Sequence, residues 1–421
     1  MRVVLAAALL AAAAWGREFP DSMLGITEVT WLTEQHASTH AARRFVGSPS
    51  LVKSGPLWLA SHDYFFDTPV GTVSVFSSAD GGINWSATAN ISAIYWAQLF
   101  EHGGSVYLIG PSGDYSGEGD LKIARCTSSP CDGRDWTEAA VLAKGTPERH
   151  FHSAPTPVVS DGETLFRAME VGGTSVPSGD LAVVMLSANA SCPDLTAPGC
   201  WTVSPGLAWN ASWWPHAVGR PARRDPRLEE SMASTLRSGK RAWEEANAVV
   251  DAKGGVWAMV RLDGPLEHCP SVAECNGAAL LSFDRTSGRL SFEAIVNLPT
   301  GCNKFAIRRS PADGMFYSLT NPVDADGIES GTCGQRNHAV LAQSADLRSW
   351  TTCATILYDD TGFQPADSVH QTGLQYIDFE FDGADIVAAV RAGYRGSVTY
   401  HDANRLLIKR VLGYASQCPG A

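Results

Sequence analysis

Polar and charged side chains recur at the ends of strand-like runs along the whole chain. Carboxylates and imidazoles move protons in catalysis, and guanidinium and ammonium groups bind anions. Each residue taken alone is better explained by a salt bridge or a capping contact, but so many at similar positions are harder to explain in that way. The candidates are His62, Asp63, Asp67, His150, His152, Arg167, Glu170, Glu244, Glu245, Arg261, Lys304, Arg336, Tyr376, Arg391, Tyr394, His401, Asp402 and Asn404.

The segments that must position these residues share one design. Six times the sequence shows a strand-like run, a turn that contains glycine, and a second strand-like run, as in 247–250, Gly254 and 256–257. Such runs bounded by turns are typical of β-hairpins. The turn glycines are Gly55, Gly103, Gly162, Gly254, Gly314 and Gly383. We expect an outer strand after each hairpin, the last one over 404–410.

A turn motif follows the first hairpin. Residues 78–85 read Ser-Ala-Asp-Gly-Gly-Ile-Asn-Trp, which matches the Asp-box of β-propeller blades. In this turn the Ser and Asp side chains bond backbone amides, and glycine takes a backbone angle that other residues avoid. Weaker copies begin at Ser128, Ser187, Ser282 and Ser344. The motif belongs to the outer rim of the fold and is not a catalytic site.

The two series together predict an all-β fold, a six-bladed β-propeller. The 405 residues after residue 16 give about 67 residues for each of six blades. A seven-bladed arrangement needs a further repeat, which we do not find in the sequence. We expect one catalytic domain over 17–421, with a long insertion between blades at about 202–243. This insertion is rich in tryptophan and arginine, and it is either a lid or substrate wall or a solvated loop.

The N-terminus predicts a secretory signal peptide over residues 1–16. Arg2 supplies a positive charge, residues 3–14 form an apolar run, and Ala14 and Gly16 are small residues at the positions that a cleavage site requires. No later stretch approaches the roughly 18 apolar residues of a membrane span. We therefore expect a secreted protein that is cleaved after Gly16 and does not span a membrane.

The cysteines fit an oxidising compartment. The chain has 10 cysteines, and three close pairs, Cys126/Cys131, Cys192/Cys200 and Cys269/Cys275, are each expected to form a disulfide. The remaining four, Cys302, Cys333, Cys353 and Cys418, allow three pairings. The sequence shows no CxxC or histidine-rich zinc pattern, so we expect neither a metal nor a cofactor.

The formal net charge of −12, from 32 basic and 44 acidic residues, disfavours a nucleic-acid partner. We expect a monomer.

The turn motifs, the six repeats and the secretion signal make the chain resemble the sialidase (neuraminidase) superfamily. In that family a glutamate begins an inner strand and an arginine ends the strand paired with it, which Glu244 or Glu245 and Arg261 match. A further family arginine precedes an outer strand and a turn motif, as Arg336 does before Ser344. These matches imply that Arg261 and Arg336 bind a substrate carboxylate and that a glutamate activates the nucleophile.

The resemblance also assigns the nucleophile and the acid. The family's nucleophilic tyrosine opens the inner strand of the last blade, where Tyr376 stands, and its acid/base aspartate follows the first hairpin, where Asp63 or Asp67 would serve. The chain departs from the family at 47–49, where Gly-Ser-Pro replaces an Arg-Ile-Pro and the first arginine of the carboxylate-binding triad is absent. We expect Arg391 or Lys304 to supply the third cation, and His62 and His152 to contact substrate.

The resemblance implies a secreted exo-glycoside hydrolase of sialidase type that releases a terminal acidic sugar. Two alternatives remain open at this point. One is a lyase or another glycosidase that acts on uronic-acid glycans, for which His150, His152, Lys304 and Tyr394 would suit the chemistry. The other is a glycan-binding or structural propeller without catalytic activity.

Overall fold

The computed structural model describes ten segments of the chain: residues 26–31, 45–65, 71–113, 119–176, 181–210, 212–213, 243–262, 275–330, 334–397 and 399–418. Several of the sequence-based expectations fall outside these segments. They are the signal peptide over 1–16, the acid candidate Asp67, most of the insertion expected at 202–243, Cys269 of the expected Cys269–Cys275 disulfide, and Cys333.

The strands form six antiparallel sheets, as the repeats predicted, and the six-bladed all-β fold is confirmed. Strand β1 covers Ile26–Trp31 and is described below with the last blade. Blade 1 contains β2 (Phe45–Ser54), β3 (Leu57–Phe65), β4 (Thr72–Ser78) and β5 (Ser86–Ser92). Blade 2 contains β6 (Gln98–His102), β7 (Ser105–Pro111), β8 (Leu121–Arg125) and β9 (Ala140–Ala143).

Blade 3 differs from the others because its inner and outer strands are each divided in two. It contains β10 (His150–His152), β11 (Val159–Ser160), β12 (Thr164–Gly172), β13 (Ala182–Asn189), β14 (Trp201–Val203) and β15 (Leu207–Ala208). Both β10 and β11 pair with β12, and both β14 and β15 pair with β13.

Blades 4 and 5 have four strands each. Blade 4 contains β16 (Trp243–Val250), β17 (Val256–Leu262), β18 (Ala278–Asp284) and β19 (Arg289–Val296). Blade 5 contains β20 (Ala306–Arg309), β21 (Phe316–Thr320), β22 (His338–Ser344) and β23 (Thr351–Tyr358). Two short helices, α1 (Ala325–Glu329) and α2 (Pro365–Gln371), lie in the loops of this region.

Blade 6 contains β24 (Gly373–Asp382), β25 (Asp385–Gly393) and β26 (Arg405–Val411), and β1 is its outermost strand. The outer strand expected over 404–410 is present as β26, the third strand of the blade, whereas the sequence did not predict β1 as the fourth strand. Strand β1 pairs with it antiparallel, from Ile26 opposite Lys409 to Trp31 opposite Arg405. The two ends of the chain therefore complete one sheet.

The hydrophobic core consists of six clusters, and each cluster joins two neighbouring blades. Blades 3 and 4 meet at Phe166, Met185, Trp243 and Val260, and the other interfaces are built in the same way. Blades 6 and 1 meet at a cluster that includes Trp58 and Leu406, which closes the ring. The inner strands β2 and β16 are covered on both faces and are therefore buried along nearly their whole length.

The turn at Ser78 has the hydrogen bonds that its sequence predicted. The Ser78 hydroxyl accepts from the Gly82 amide at 3.0 Å, the Asp80 carboxylate accepts from the Asn84 amide at 2.8 Å, and the Trp85 indole donates to the Gly82 carbonyl at 2.9 Å. The turn at Ser344 repeats this pattern, with Leu347 at φ 63° where the first turn has Gly82 at φ 90°. Both turns join the third and fourth strands of a blade.

The expected disulfides Cys126–Cys131 and Cys192–Cys200 are present. Of the four cysteines whose pairing the sequence left open, Cys353 and Cys418 are bonded to each other. Cys275 and Cys302 are also disulfide-bonded, and Cys269 lies outside the described segments. Within the segments described, no helix is long and apolar enough to span a membrane.

Candidate active site

Three inner strands carry the same irregularity near their first residues. Between Val46 and Pro49 in β2, Glu244 and Asn247 in β16, and Gln375 and Asp378 in β24, the inner strand has one residue more than its partner strand. Each is a β-bulge, which re-aims side chains and is common near active sites. The first residue inside the bulge is Gly47 in β2, Glu245 in β16 and Tyr376 in β24. The bulges lie at the end of the channel where inner strands begin and second strands end, which we call the mouth.

Two of these bulge residues have strained backbones. Glu245 has φ 60° and Tyr376 has φ 53°, in the left-handed region that residues with a Cβ rarely adopt. Such strain costs of order 1–3 kcal/mol per residue and concentrates at functional sites. In this fold it turns both side chains towards the mouth of the channel.

Glu245, Arg261 and Tyr376 form one hydrogen-bonded group. The Arg261 Nη1 donates to the Glu245 Oε2 at 2.7 Å and to the Tyr376 hydroxyl at 3.4 Å. The same Nη1 lies 3.1 Å from the Glu244 Oε1, so both glutamates contact one guanidinium. The Arg261 Nε donates to the Cys302 carbonyl at 2.7 Å, which fixes the plane of the guanidinium.

The charges of this group set the protonation of its members. Burial alone would raise the pKa of Glu245, but the Arg261 charge, its hydrogen bond and the Tyr376 hydroxyl lower it below the ordinary value. Burial and the nearby Glu245 carboxylate raise the pKa of Tyr376. The phenol is therefore protonated and the adjacent carboxylate ionised, which is the pairing that a nucleophile and its base require.

Two further guanidinium groups lie against the Tyr376 ring. The Arg336 Cζ is 5.5 Å and the Arg391 Cζ is 5.0 Å from the ring centroid. Arg336 also lies 5.4 Å from the Tyr400 ring and donates from Nε to the Asn303 Oδ1 at 2.8 Å. Arg391 is fully buried, and desolvation lowers its pKa to about 10, so it stays charged at neutral pH.

Arg391 and Arg261 occupy equivalent places in blades 6 and 4. Arg391 faces Gln375 and Arg261 faces Glu244, in each case the last regular pair before the bulge. The mouth thus holds Arg261, Arg336 and Arg391 around one tyrosine.

Asp63 is a buried carboxyl group in blade 1 at the same mouth. Its Oδ1 accepts from the Ser48 amide at 2.6 Å and its Oδ2 from the Trp96 amide at 3.2 Å. Burial raises its pKa to about 6, against the opposing effects of these amides and of Arg391. A Cβ at position 47 would stand 1.9 Å from the Asp63 Oδ1, so glycine is required beside this carboxyl group.

The structure places the other predicted residues as follows. Lys304 is buried beside the group, where its Nζ donates to the Ile377 carbonyl at 2.8 Å. The His152 Nδ1 lies 3.5 Å from the Glu170 Oε2, and its ring packs edge-on against Trp96. His62 stacks on Phe76 at 5.4 Å, on the face of β3 opposite to Asp63.

The structure also brings in residues that the sequence did not single out for this site. Gln375 accepts a hydrogen bond from the Arg336 Nη1, Asn303 accepts from its Nε, and the Tyr400 ring covers its guanidinium. Their signal was positional, because Gln375 directly precedes Tyr376 and Asn303 precedes Lys304.

Tyr394, considered for lyase chemistry, donates its hydroxyl to Asp360. In the described segments, no group of three or more His, Cys, Asp or Glu side chains is arranged to hold a metal ion.

Solved structures similar to this chain include two glycosidases. A sialidase of Trypanosoma rangeli matches with a TM-score of 0.57 at 13% identity, over 93% of this chain and 60% of the sialidase. Its complex with sialic acid matches at 0.56 and 12%, with the same coverage. The GH93 α-L-arabinofuranosidase of Fusarium graminearum, in complex with arabinobiose, matches at 0.54 and 12%, over 93% of this chain and 98% of that enzyme.

No protein-family model matches the chain, and no curated protein sequence is similar to it. The chain spans about three fifths of the length of the trypanosomal sialidase. At these identities the likeness shows the fold, which is a six-bladed β-propeller of the sialidase type.

Proposed function

We propose that this chain is an exo-acting glycoside hydrolase that releases a terminal acidic sugar, with Tyr376 as its nucleophile. One observation carries the proposal: the Tyr376 hydroxyl, the Arg261 guanidinium and the Glu245 carboxylate form one hydrogen-bonded group on two strained β-bulges. A tyrosine is a nucleophile only with a base in reach, and Glu245 meets that requirement.

The first step forms a covalent glycosyl-enzyme. The Tyr376 oxygen attacks the anomeric carbon while its proton passes to the Glu245 carboxylate. The glycosidic carbon–oxygen bond breaks, and Asp63, as a carboxylic acid, gives its proton to the leaving oxygen. The raised pKa of Asp63, about 6, supports this role, because the group is protonated in weakly acidic solution.

The second step releases the sugar. A water molecule attacks the anomeric carbon as Asp63, now a carboxylate, takes its proton. The bond between the carbon and the Tyr376 oxygen breaks, and the proton on Glu245 returns to the phenol. Two displacements at one carbon retain the anomeric configuration.

The cations at the mouth support an acidic sugar as substrate. Arg261 is engaged by Glu244 and Glu245, whereas Arg336 and Arg391 flank the Tyr376 ring. A carboxylate of the sugar bound to Arg336 and Arg391 would lie beside the nucleophile, and charge-assisted hydrogen bonds to arginine are among the strongest that proteins make. Arg391 is then the third cation of the site, with Arg261 and Arg336, while Lys304 is bonded to the Ile377 carbonyl.

The remaining parts of the proposal concern the whole chain. We propose that residues 17–421 form a single catalytic domain that is secreted after cleavage at Gly16 and acts as a monomer on glycans. The disulfides support secretion because such bonds persist in oxidising compartments.

The test measures hydrolysis of chromogenic sialosides, uronic-acid glycosides and α-L-arabinofuranosides by wild type, Tyr376→Phe and Arg391→Met. We expect turnover of an acidic glycoside, its loss in Tyr376→Phe, and a higher KM in Arg391→Met. Equal turnover of the neutral arabinofuranoside, insensitive to Arg391→Met, would contradict the acidic substrate. Formation of an unsaturated uronate from a polysaccharide would instead establish a lyase.

A further inference from the structure

Three consecutive residues between β19 and β20 each bind a different part of the candidate site. The Cys302 carbonyl accepts from the Arg261 Nε at 2.7 Å, and the Asn303 Oδ1 accepts from the Arg336 Nε at 2.8 Å. The Lys304 Nζ donates to the Ile377 carbonyl at 2.8 Å, inside the bulge that sets the backbone of Tyr376. One short segment thus contacts both arginines and the nucleophile's strand.

The segment is itself held firmly. The Gly301 amide donates to the Asn276 Oδ1 at 2.8 Å, and the Thr300 hydroxyl donates to the Asn303 carbonyl at 2.9 Å. The Asn303 Nδ2 donates to the carbonyls of Asn321 at 3.0 Å and Gln335 at 2.8 Å. Cys302 is in a disulfide, and residues 302–304 are all buried.

The charge of Lys304 is unusual for its position. The side chain is 1% exposed, and burial lowers its pKa to about 8, while Asp378 and Glu245 act in the opposite direction. A buried ammonium group is costly unless it is paired, and an apolar side chain of similar length would fill the same space without that cost. The bond from its Nζ to the Ile377 carbonyl gives the ammonium group a partner inside the Tyr376 bulge.

We propose that Asn303 and Lys304 are positioning residues of the active site, Asn303 for the Arg336 guanidinium and Lys304 for the Tyr376 bulge. The inference rests on the function proposed above. A site held to within about 0.5 Å needs such supporting hydrogen bonds, since looser arrangements lose activity.

The first test uses Asn303→Ala, with Asn404→Ala as the matched control. Asn404 is also a buried asparagine with two bonds to backbone, but its partners are the amide and carbonyl of Tyr394. Asn303→Ala removes the acceptor of Arg336, so we expect KM for the acidic glycoside to rise severalfold while kcat changes less. Asn404→Ala is expected to lower the melting temperature without that rise in KM.

A milder variant covers the case in which Asn303→Ala fails to fold. Thr300→Val removes the hydroxyl that bonds the Asn303 carbonyl and leaves every charged group in place. We expect KM for the acidic glycoside to rise in Thr300→Val as well, but by less than in Asn303→Ala. An unchanged KM in both variants, or an equal rise in Asn404→Ala, would overturn the role of Asn303.

The second test compares Lys304→Met with Lys304→Arg in their pH profiles. The groups that face Glu245 are Arg261 on β17, Tyr376 on β24 and Lys304 before β20, and Glu244 shares Arg261 with it. Removing a nearby opposite charge raises the pKa of a carboxyl group. We expect the acidic limb of the pH profile of kcat/KM to move to higher pH in Lys304→Met and to lie at its wild-type pH in Lys304→Arg. An acidic limb at the wild-type pH in both variants would overturn the role of Lys304.

Crystal structures of the variants separate this inference from the proposed function. If wild type hydrolyses none of the glycosides, the proposed function fails, and the structures still test the positioning. We expect the Arg336 guanidinium to leave the Tyr376 ring in Asn303→Ala and the φ of Tyr376 to relax in Lys304→Met. Unchanged positions of both groups, to within about 0.5 Å, would overturn the positioning roles.

Discussion

The two ends of blade 1 each present an aspartate that accepts backbone hydrogen bonds, yet their pKa values move in opposite directions. Asp63, at the mouth, accepts from the Ser48 and Trp96 amides, and its pKa rises to about 6. Asp80, in the rim turn, accepts from the Asn84 and Ile83 amides, and these bonds lower its pKa to about 2. Burial makes the difference, because Asp63 is 1% exposed and Asp80 lies at the surface.

The comparison separates two uses of the same residue type. An exposed aspartate with several donors stays ionised, holds its turn together and has no proton to give near neutral pH. A buried aspartate with fewer donors keeps its proton into the range where general acids work. The fold therefore places a structural carboxylate and a candidate acid at opposite ends of one sheet.

The largest expected effect is on activity. Asp63→Asn keeps only one of the two oxygens that accept from the Ser48 and Trp96 amides, and its amide group cannot give a proton to the leaving oxygen. We therefore expect kcat/KM for glycosides with poor leaving groups to fall by about 10²–10⁴-fold. Asp80→Asn is the matched control, and its activity should equal that of wild type. An equal loss of kcat/KM in Asp63→Asn and Asp80→Asn would show that Asp63 has no special role in catalysis.

The second effect is on stability as a function of pH. The folded protein holds the Asp63 proton more tightly than the unfolded chain does, so the contribution of this group is fully present below pH 3.8 and is lost as pH rises through about 6. The loss is about 3 kcal/mol. Asp63→Asn lacks it, so urea unfolding should show the variant gaining stability relative to wild type between about pH 4 and pH 7. A constant difference across this range would contradict the raised pKa.

The smallest effect concerns the rim. Asp80→Ala removes four hydrogen bonds of the turn, and we expect a lower melting temperature with unchanged kcat and KM. Since the pKa of Asp80 is lowered to about 2, its contribution is present at neutral pH and is lost as pH falls from 3.8 towards 2. The melting temperatures of wild type and variant should therefore converge in strong acid.

The same contrast explains which features the sequence could reveal. The rim turns depend on contacts between residues two to four positions apart, such as Ser78 with Gly82, so their pattern is readable along the chain. The hairpins are local too, and they predicted six blades. The outermost strand of blade 6 was missed because β1 and β26 are at opposite ends of the sequence.

The sequence predicted only some of the residues of the candidate site, because their arrangement depends on the bulges and on tertiary packing. The resemblance pointed to Tyr376, Arg261 and Arg336, but it left Glu244 and Glu245 equivalent. The extra residue of the bulge brings both carboxylates to the same Arg261 nitrogen, and strand alternation alone does not predict this. The support from Asn303 crosses from blade 4 to blade 5 and depends on tertiary packing.

The pairing of β1 with β26 has a consequence for the order of synthesis. The ribosome makes β1 before β26, and the other strands of the six blades lie between them in the sequence, so the edge of β1 has no partner until β26 is made. Exposed edge strands recruit other strands and promote aggregation, and contacts between distant residues form slowly. A charged residue in this strand, such as Glu28, disfavours pairing with other strands until β26 is made.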